Sequence, residues 1–269
     1  MTRTILITGA SSGIGRATAD YFAQKGWNVA ATMRSPEGQK PSSPRIRYYR
    51  LDVTDTESIR LAIDEAISDF GGIDAVMNNA GYGAVGVFEA ASMERIKRQF
   101  ETNVFGLMNV TTCILPYFRA RKSGMIINIS SMGGKTTFPL YSLYHSTKWA
   151  VEGFSESLHY ELRAIGVKLK MIEPGVIKTD FNTRSLDFIN DEKLAEYQPY
   201  VRTAMSNIEQ SYTTGDTSET VAKTIYRAAT DGSSRLRYPA GKPAPLLLAL
   251  RKLIPERWFI GLVRGQIEK

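Results

Sequence analysis

The sequence predicts an α/β fold, a single-domain doubly wound parallel sheet with a C-terminal helical extension. Seven short runs, at 4–8, 27–33, 46–51, 73–77, 125–130, 167–172 and 235–238, alternate with segments of helical periodicity, the pattern of successive strand–helix–strand units. A glycine-rich turn follows the first run and opens a helix. No internal repeat, low-complexity tract or linker divides the 269 residues, so one large core is expected.

Residues 4–8 form the first strand, and Gly9-Ala-Ser-Ser-Gly13-Ile-Gly15 leads into an apolar-periodic helix closed by Gly26. Glycines in this place let the backbone approach a pyrophosphate, whose charge the helix N-terminus favours. Gly9, Ser11, Ser12, Gly13, Ile14 and Gly15 are therefore candidate dinucleotide contacts in a Rossmann-type sheet. The second strand ends in Met33 and is followed by Arg34, with no carboxylate before Glu37. An acidic side chain here would bond a ribose 2′-hydroxyl, whereas a guanidinium suits a 2′-phosphate. The expected cofactor is NADP(H).

Residues 36–44 read as a loop and 46–51 as the third strand. Thr54-Asp-Thr-Glu57 reads as a capping box for a helix burying Ile59, Ile63, Ile67 and Phe70. The fourth strand, 73–77, precedes Gly81-Tyr-Gly83-Ala-Val-Gly86. That cluster matches G-x-G-x-x-G literally but opens no helix, so it reads as a loop beside the cofactor. A single long helix is expected from 92 to about 119, and 125–130 is apolar enough for a buried parallel strand. The next helix stops at Gly166 and strand 167–172 follows. Residues 180–216 are polar and weakly periodic, with scattered aromatics, which suits a substrate lid rather than a sheet element. A helix from 218 to about 230 and the strand 235–238 close the sheet.

Hydrophobic content of 43% and charged content of 23% are ordinary for a globular protein. Cys113 is the one cysteine, which excludes an internal disulfide, and with only His145 and His159 beside it no metal centre is expected. His145 points about 100° around a helix from Tyr144, so a solvated or supporting role is expected. No signal-peptide pattern and no membrane-spanning run is present, and a cytoplasmic location is predicted. The net charge of +7 is uneven: residues 235–269 hold eight Lys/Arg and two Asp/Glu, so 8 − 2 = +6 lies in the tail. With no groove-reading motif beside it, this does not point to nucleic acid.

Tyr144 and Lys148 are four apart and share one helix face. A phenol that ordinarily titrates near about pH 10 is a poor acid. An ammonium about 5 Å away contributes roughly 3 kcal/mol at an effective dielectric of about 20, about a hundredfold in acidity. That moves a tyrosine toward the working range of a general acid. Tyr141 does not form such a pair, since its fourth neighbour is His145. Ser131, thirteen residues before Tyr144, is placed to hydrogen-bond the carbonyl oxygen that the phenol protonates.

Serine, thirteen residues, then Tyr-x-x-x-Lys resembles the short-chain dehydrogenase/reductase family. So do Thr-Gly-x-x-x-Gly-Ile-Gly at residue 8, Asp52-Val53, Asn-Asn-Ala-Gly at 78–81, Asn103 and Pro-Gly-x-x-x-Thr at 174–179. The resemblance covers roughly residues 4–230. It implies catalytic roles for Asn103, Ser131, Tyr144 and Lys148. It also implies cofactor contacts from Asp52, Val53, Asn79, Ala80, Gly81, Tyr144, Lys148, Pro174, Gly175, Ile177 and Thr179. Substrate contacts are expected from Ser131, Tyr141, Tyr144 and Phe181.

The implied activity is interconversion of a ketone or aldehyde and an alcohol, on an apolar small molecule such as those handled by the branch acting on steroids and retinoids. The alternatives are a 3-oxoacyl-thioester reductase and a non-catalytic NADP(H)-binding sensor. A homo-oligomer, dimer or tetramer, is expected by the same resemblance. Residues 1–240 form the catalytic domain, with the lid at about 180–216, and 241–269 form its helical extension. In the extension, Leu246, Leu247, Leu250 and Ile254 recur at helical spacing, Pro255 breaks the run, and a second helix is expected to bury Trp258, Phe259, Leu262 and Val263. Packing, a lid over the pocket, and contact with an anionic membrane surface are three roles this tail admits.

Overall fold

The structure, a computed structural model, describes residues 2–179 and 185–267. In chain order the first half runs β1 (Thr4–Ile7), α1 (Gly13–Gln24), β2 (Asn28–Met33), β3 (Ile46–Arg50), α2 (Thr56–Phe70), β4 (Ala75–Asn78), β5 (Gly83–Gly86), α3 (Met93–Phe100) and α4 (Gly106–Arg121). The second half runs β6 (Gly124–Ile129), α5 (Ser142–Arg163), β7 (Val167–Pro174), β8 (Ile177–Lys178), β9 (Leu186–Ile189), α6 (Gln198–Thr213), β10 (Asp216–Thr217), α7 (Ser218–Thr230), β11 (Arg237–Ala240), α8 (Ala244–Leu253) and α9 (Glu256–Ile267).

The seven predicted strands form one parallel sheet in the order β11-β7-β6-β4-β1-β2-β3. Successive side chains of a strand point to opposite faces, and β1 shows what each face meets. Ile5 and Ile7 join Phe22, Val29, Ile225 and Tyr238 on the side of α1 and α7. Leu6 joins Ile59, Ile114, Phe118 and Leu162 on the side of α2, α4 and α5. Both faces are therefore dry. The strand order reverses between β1 and β4, so their carboxyl ends open a crevice of the kind in which doubly wound sheets bind ligands.

Several local expectations are corrected. The single helix over 92–119 is two helices joined by a π turn, Glu101–Phe105. The Asp55 carboxylate caps α2, accepting from the Glu57 and Ser58 amides at 3.0 and 3.4 Å. Thr54 instead donates to Asp52 at 2.8 Å. The glycine cluster at 81–86 is not simply a loop: β5 pairs in parallel with β9. Gly86, at φ +145°, has to be glycine because a Cβ there would run into the Ile189 carbonyl. Gly83 and Gly86 thus belong to a strand pair, whereas Gly81 lies before it, against Asn103. The segment expected as a lid contributes β9 to this second sheet, and Arg95 and Arg98 of α3 hold Asp187 of β9 at 2.7 and 3.0 Å. Between 180 and 216 the longest element is α6, buried along Val201, Ala204 and Ile208.

The tail forms two helices separated at Pro255 as the spacing predicts, but their faces are turned. Ala244 and Leu248 are the buried positions of α8, packed on Met132. In α9 Phe259 and Val263 are buried, whereas Trp258 and Leu262 are exposed.

Candidate active site

The first glycine loop and the turn after β4 are stapled together. The Thr8 hydroxyl accepts from the Asn79 and Ala80 amides at 2.9 and 3.0 Å. The Asn79 side-chain Nδ2 donates to the Thr8 and Gly9 carbonyls at 2.9 and 3.0 Å. Gly9 sits at φ +66°, and a Cβ on Gly15 would strike the Gly9 carbonyl. The cradle therefore admits no side chain, and Ser12 makes no side-chain cap to α1, which leaves the first amides of that helix directed at the crevice. This cradle fits a pyrophosphate. In the sequence Thr8 reads only as the end of the first strand and the first residue of the glycine motif, with no contact assigned to it.

Ser131 caps a short 3₁₀ turn, Met132–Gly134, and accepts from the Gly133 amide at 3.0 Å. It also hydrogen-bonds Tyr144 in the first turn of α5; burial above all raises the pKa of that phenol, the Ser131 hydrogen bond lowers it, and Tyr212 adds to the rise, which prevails. The sequence points to positive charge, that of Lys148 first, whereas burial is the largest influence on the Tyr144 phenol in this structure. Lys148 is buried, its Nζ 5.7 Å from the Tyr144 ring centre and donating to the Ile129 carbonyl at 2.9 Å. Burial lowers its pKa to about 8, against the opposing charge of Glu152.

Asn103 lies in the π turn. Its Oδ1 accepts from the Tyr82 amide at 3.1 Å, and its Nδ2 donates to the Tyr82 carbonyl at 2.9 Å and to the Thr147 hydroxyl at 3.2 Å. Thr147, beside Lys148, is a second partner that the sequence did not reveal. Tyr141 is buried, shares a hydrogen bond of 2.9 Å with Tyr212, and stacks on His145. His145 is not solvated: its Nδ1 accepts from the Phe138 amide at 3.3 Å, and burial lowers its pKa to about 3. It is a neutral packing residue.

One cleft of about 1200 Å³ joins these parts. At one end lie Gly9, Ser11, Ser12, Gly13, Ile14, Arg34, Asp52 and Val53; in the middle lie Asn79, Ala80, Gly81, Ser131, Tyr144, Lys148, Pro174, Gly175, Ile177 and Thr179. Gly15 and Asn103 support it from behind. Phe181 lies outside the described residues. The other end is mainly apolar, walled by Ile208, Tyr212, Leu247, Leu250, Phe259 and Val263, with Asn207 and Ser211 of α6 among them. The sequence placed Leu247 and Leu250 on an apolar helix face, yet only packing shows that they face the cleft.

The model of the short chain dehydrogenase family matches residues 3–189. The chain belongs to that family. It is 40% identical over 237 residues to an uncharacterized oxidoreductase of Schizosaccharomyces pombe, covering 87% of this chain and 99% of the relative. It is 40% identical over 190 residues to the 3-ketodihydrosphingosine reductase of Bacteroides thetaiotaomicron, covering 71% of this chain and 68% of the relative. Among solved structures, a short-chain dehydrogenase from Streptomyces avermitilis superposes with a TM-score of 0.82 at 31% identity, with 98% of each chain covered. This family member is an oxidoreductase in which the hydroxyl pair Ser131–Tyr144 and the ammonium of Lys148 meet where the cleft turns from polar to apolar.

Proposed function

We propose that this oxidoreductase interconverts an apolar ketone or aldehyde and its alcohol, with NADP(H) as cofactor. The observation that carries this reading is the contact of Ser131 with Tyr144, one helical turn from Lys148, at the boundary between a glycine cradle and an apolar wall. The cradle at 9–15 would hold the pyrophosphate, Arg34 the 2′-phosphate, Asp52 and Val53 the adenine side, and Ile177 and Thr179 the carboxamide. When bound, the nicotinamide supplies or accepts the hydride.

Tyr144 gives its hydroxyl proton to the carbonyl oxygen, and Ser131 donates a hydrogen bond to that same oxygen. Lys148, held by the Ile129 carbonyl, places a positive charge behind the phenol and favours the tyrosinate left after proton transfer. Asn103 fixes the backbone at Tyr82 and, through Thr147, the turn that carries Lys148. The apolar end of the cleft supports an apolar substrate, as does the likeness to a 3-ketodihydrosphingosine reductase. A cytoplasmic setting belongs to the same reading, as does a homo-oligomer, for which exposed Phe105, Trp149 and Tyr160 offer apolar surface outside the cleft.

Oxidation of NADPH and of NADH over a panel of ketones tests the reading. NADPH should be preferred. Arg34→Ala should raise the KM for NADPH about tenfold or more, the worth of a charged hydrogen bond, and leave that for NADH unchanged. Tyr144→Phe should abolish turnover with NADPH still bound, as followed by fluorescence. Retained turnover in Tyr144→Phe, or indifference to the two cofactors, would overturn the corresponding half.

A further inference from the structure

We propose that the outer face of the two C-terminal helices, α8 and α9, is a docking surface for anionic phospholipid membrane, opening directly onto the apolar end of the cleft. Five of the fourteen large hydrophobic side chains exposed among the described residues, Leu246, Leu253, Trp258, Ile260 and Leu262, fall within these two helices. Their inner positions are already spent on packing: Ala244 and Leu248 sit on Met132, and Phe259 and Val263 are buried. α8 is thus apolar on two sides, one facing the protein and the other facing outward, and in α9 the exposed Trp258 and Leu262 flank the buried stripe of Phe259 and Val263. In α8 the outward residues Leu246, Ala249 and Leu253 recur at three- and four-residue spacing, and in α9 Trp258 and Leu262 are four apart. Lone exposed apolar residues need no explanation, but a contiguous set does.

The charge around this set selects the occupant. Lys242, Lys252, Arg257 and Arg264 are exposed beside it; among the described residues of the two helices Glu256 is the one carboxylate, and it is tied to Arg251 at 2.7 Å. Leucine and tryptophan flanked by lysine and arginine is the composition by which a helix lies in an anionic lipid interface. A second copy of this chain is disfavoured on the same ground, since a twofold contact would press one basic patch against another. Leu246 and Leu262 are exposed and also line the cleft. They form a rim shared by the docking face and the apolar pocket, through which a lipid-dissolved substrate could enter without crossing water. Only that last step rests on the function proposed above; the docking itself does not.

The full chain should co-sediment with vesicles of phosphatidylcholine containing about a third phosphatidylglycerol, more weakly with pure phosphatidylcholine, and less as salt rises. The variant Leu253→Ser with Trp258→Ser should bind at least about tenfold more weakly, the worth of one large buried side chain, with its melting temperature nearly unchanged. Lys252→Glu with Arg257→Glu should weaken binding to the anionic vesicles alone. Absence of vesicle binding, or binding indifferent to both variants, would overturn the proposal. So would sedimentation velocity showing a dimer that the Leu253 and Trp258 substitutions dissociate, for the face would then be covered by a second copy. Because no turnover is measured, these outcomes are independent of whether the chain reduces a ketone.

Discussion

Lys148 is charged at the cost of burial, and Glu152, one turn further along α5, offsets part of that cost. Burial of the ammonium sets its pKa near about 8, below the usual lysine value. The sign follows: between about 8 and the ordinary lysine range the unfolded chain holds a proton that the folded chain has released, so this group's contribution to stability rises with pH there. For catalysis the direction is opposite, because reduction needs the charge behind Tyr144. We expect kcat/KM for ketone reduction to fall as pH rises past about 8. Glu152 itself is held by Arg237 at 3.1 Å and by Lys135 at 3.8 Å, with Glu173 nearby on β7. In Glu152→Gln the offsetting charge is gone, and the same limb should move to lower pH; a limb that stays in place would show that Glu152 does not act on Lys148. That Tyr144 and Lys148 share a helix face was legible from their spacing alone, whereas the choice of Ser131 rested on the family's thirteen-residue interval. His145 was not legible in the same way. Its angle around the helix was predictable, but the Tyr141 and Phe138 rings that cover it come from packing.

The π turn at Glu101–Phe105 holds Asn103 against β5's approach and against α5 at once. An added residue in a helix turn re-aims side chains, which is why such turns recur at functional sites. Here it aims one carboxamide at three partners from two other segments. In Asn103→Ala the Tyr82 amide loses its acceptor, whereas the Tyr82 carbonyl keeps Gln99 at 2.8 Å. The expected cost is about 1–3 kcal/mol of stability, that of one buried polar group left unpaired. Thermal melting and faster hydrogen exchange at the Tyr82 amide would report it. Unchanged exchange would mean that another group holds the loop. The apolar periodicity from 92 to 119 runs smoothly through this turn, so the sequence reads as one helix. The insertion becomes visible only where Gly106 is pressed against Val53, with no room for a Cβ. The β5–β9 pair was hidden for a related reason: a short strand bounded by glycines carries almost no periodic signal.

The seven-stranded sheet was predictable because its strands alternate with segments of helical periodicity, although β1, β4 and β11 are no longer than the missed β5 and β9. The tail was predictable as two helices but not as a wall of the cleft, since its leucines can face either way until packing decides. Both large core clusters are built without any residue of α8 or α9, so the sheet should fold without the last helix. Deleting residues 256–269 therefore tests the wall separately from the fold. Phe259 and Val263 would vanish from the apolar end, α6 would lose its neighbour, and the glycine cradle at the opposite end would be untouched. We expect a folded protein with a lower melting temperature and an unchanged KM for NADPH. The KM for an apolar ketone should rise about tenfold or more, because losing apolar contact worth a methylene or more changes discrimination by that amount, whereas a small water-soluble ketone should be affected far less. Equal losses for both ketones would assign the helix to general stability rather than to substrate binding. A chain that fails to fold would assign α9 to the core that the packing places elsewhere.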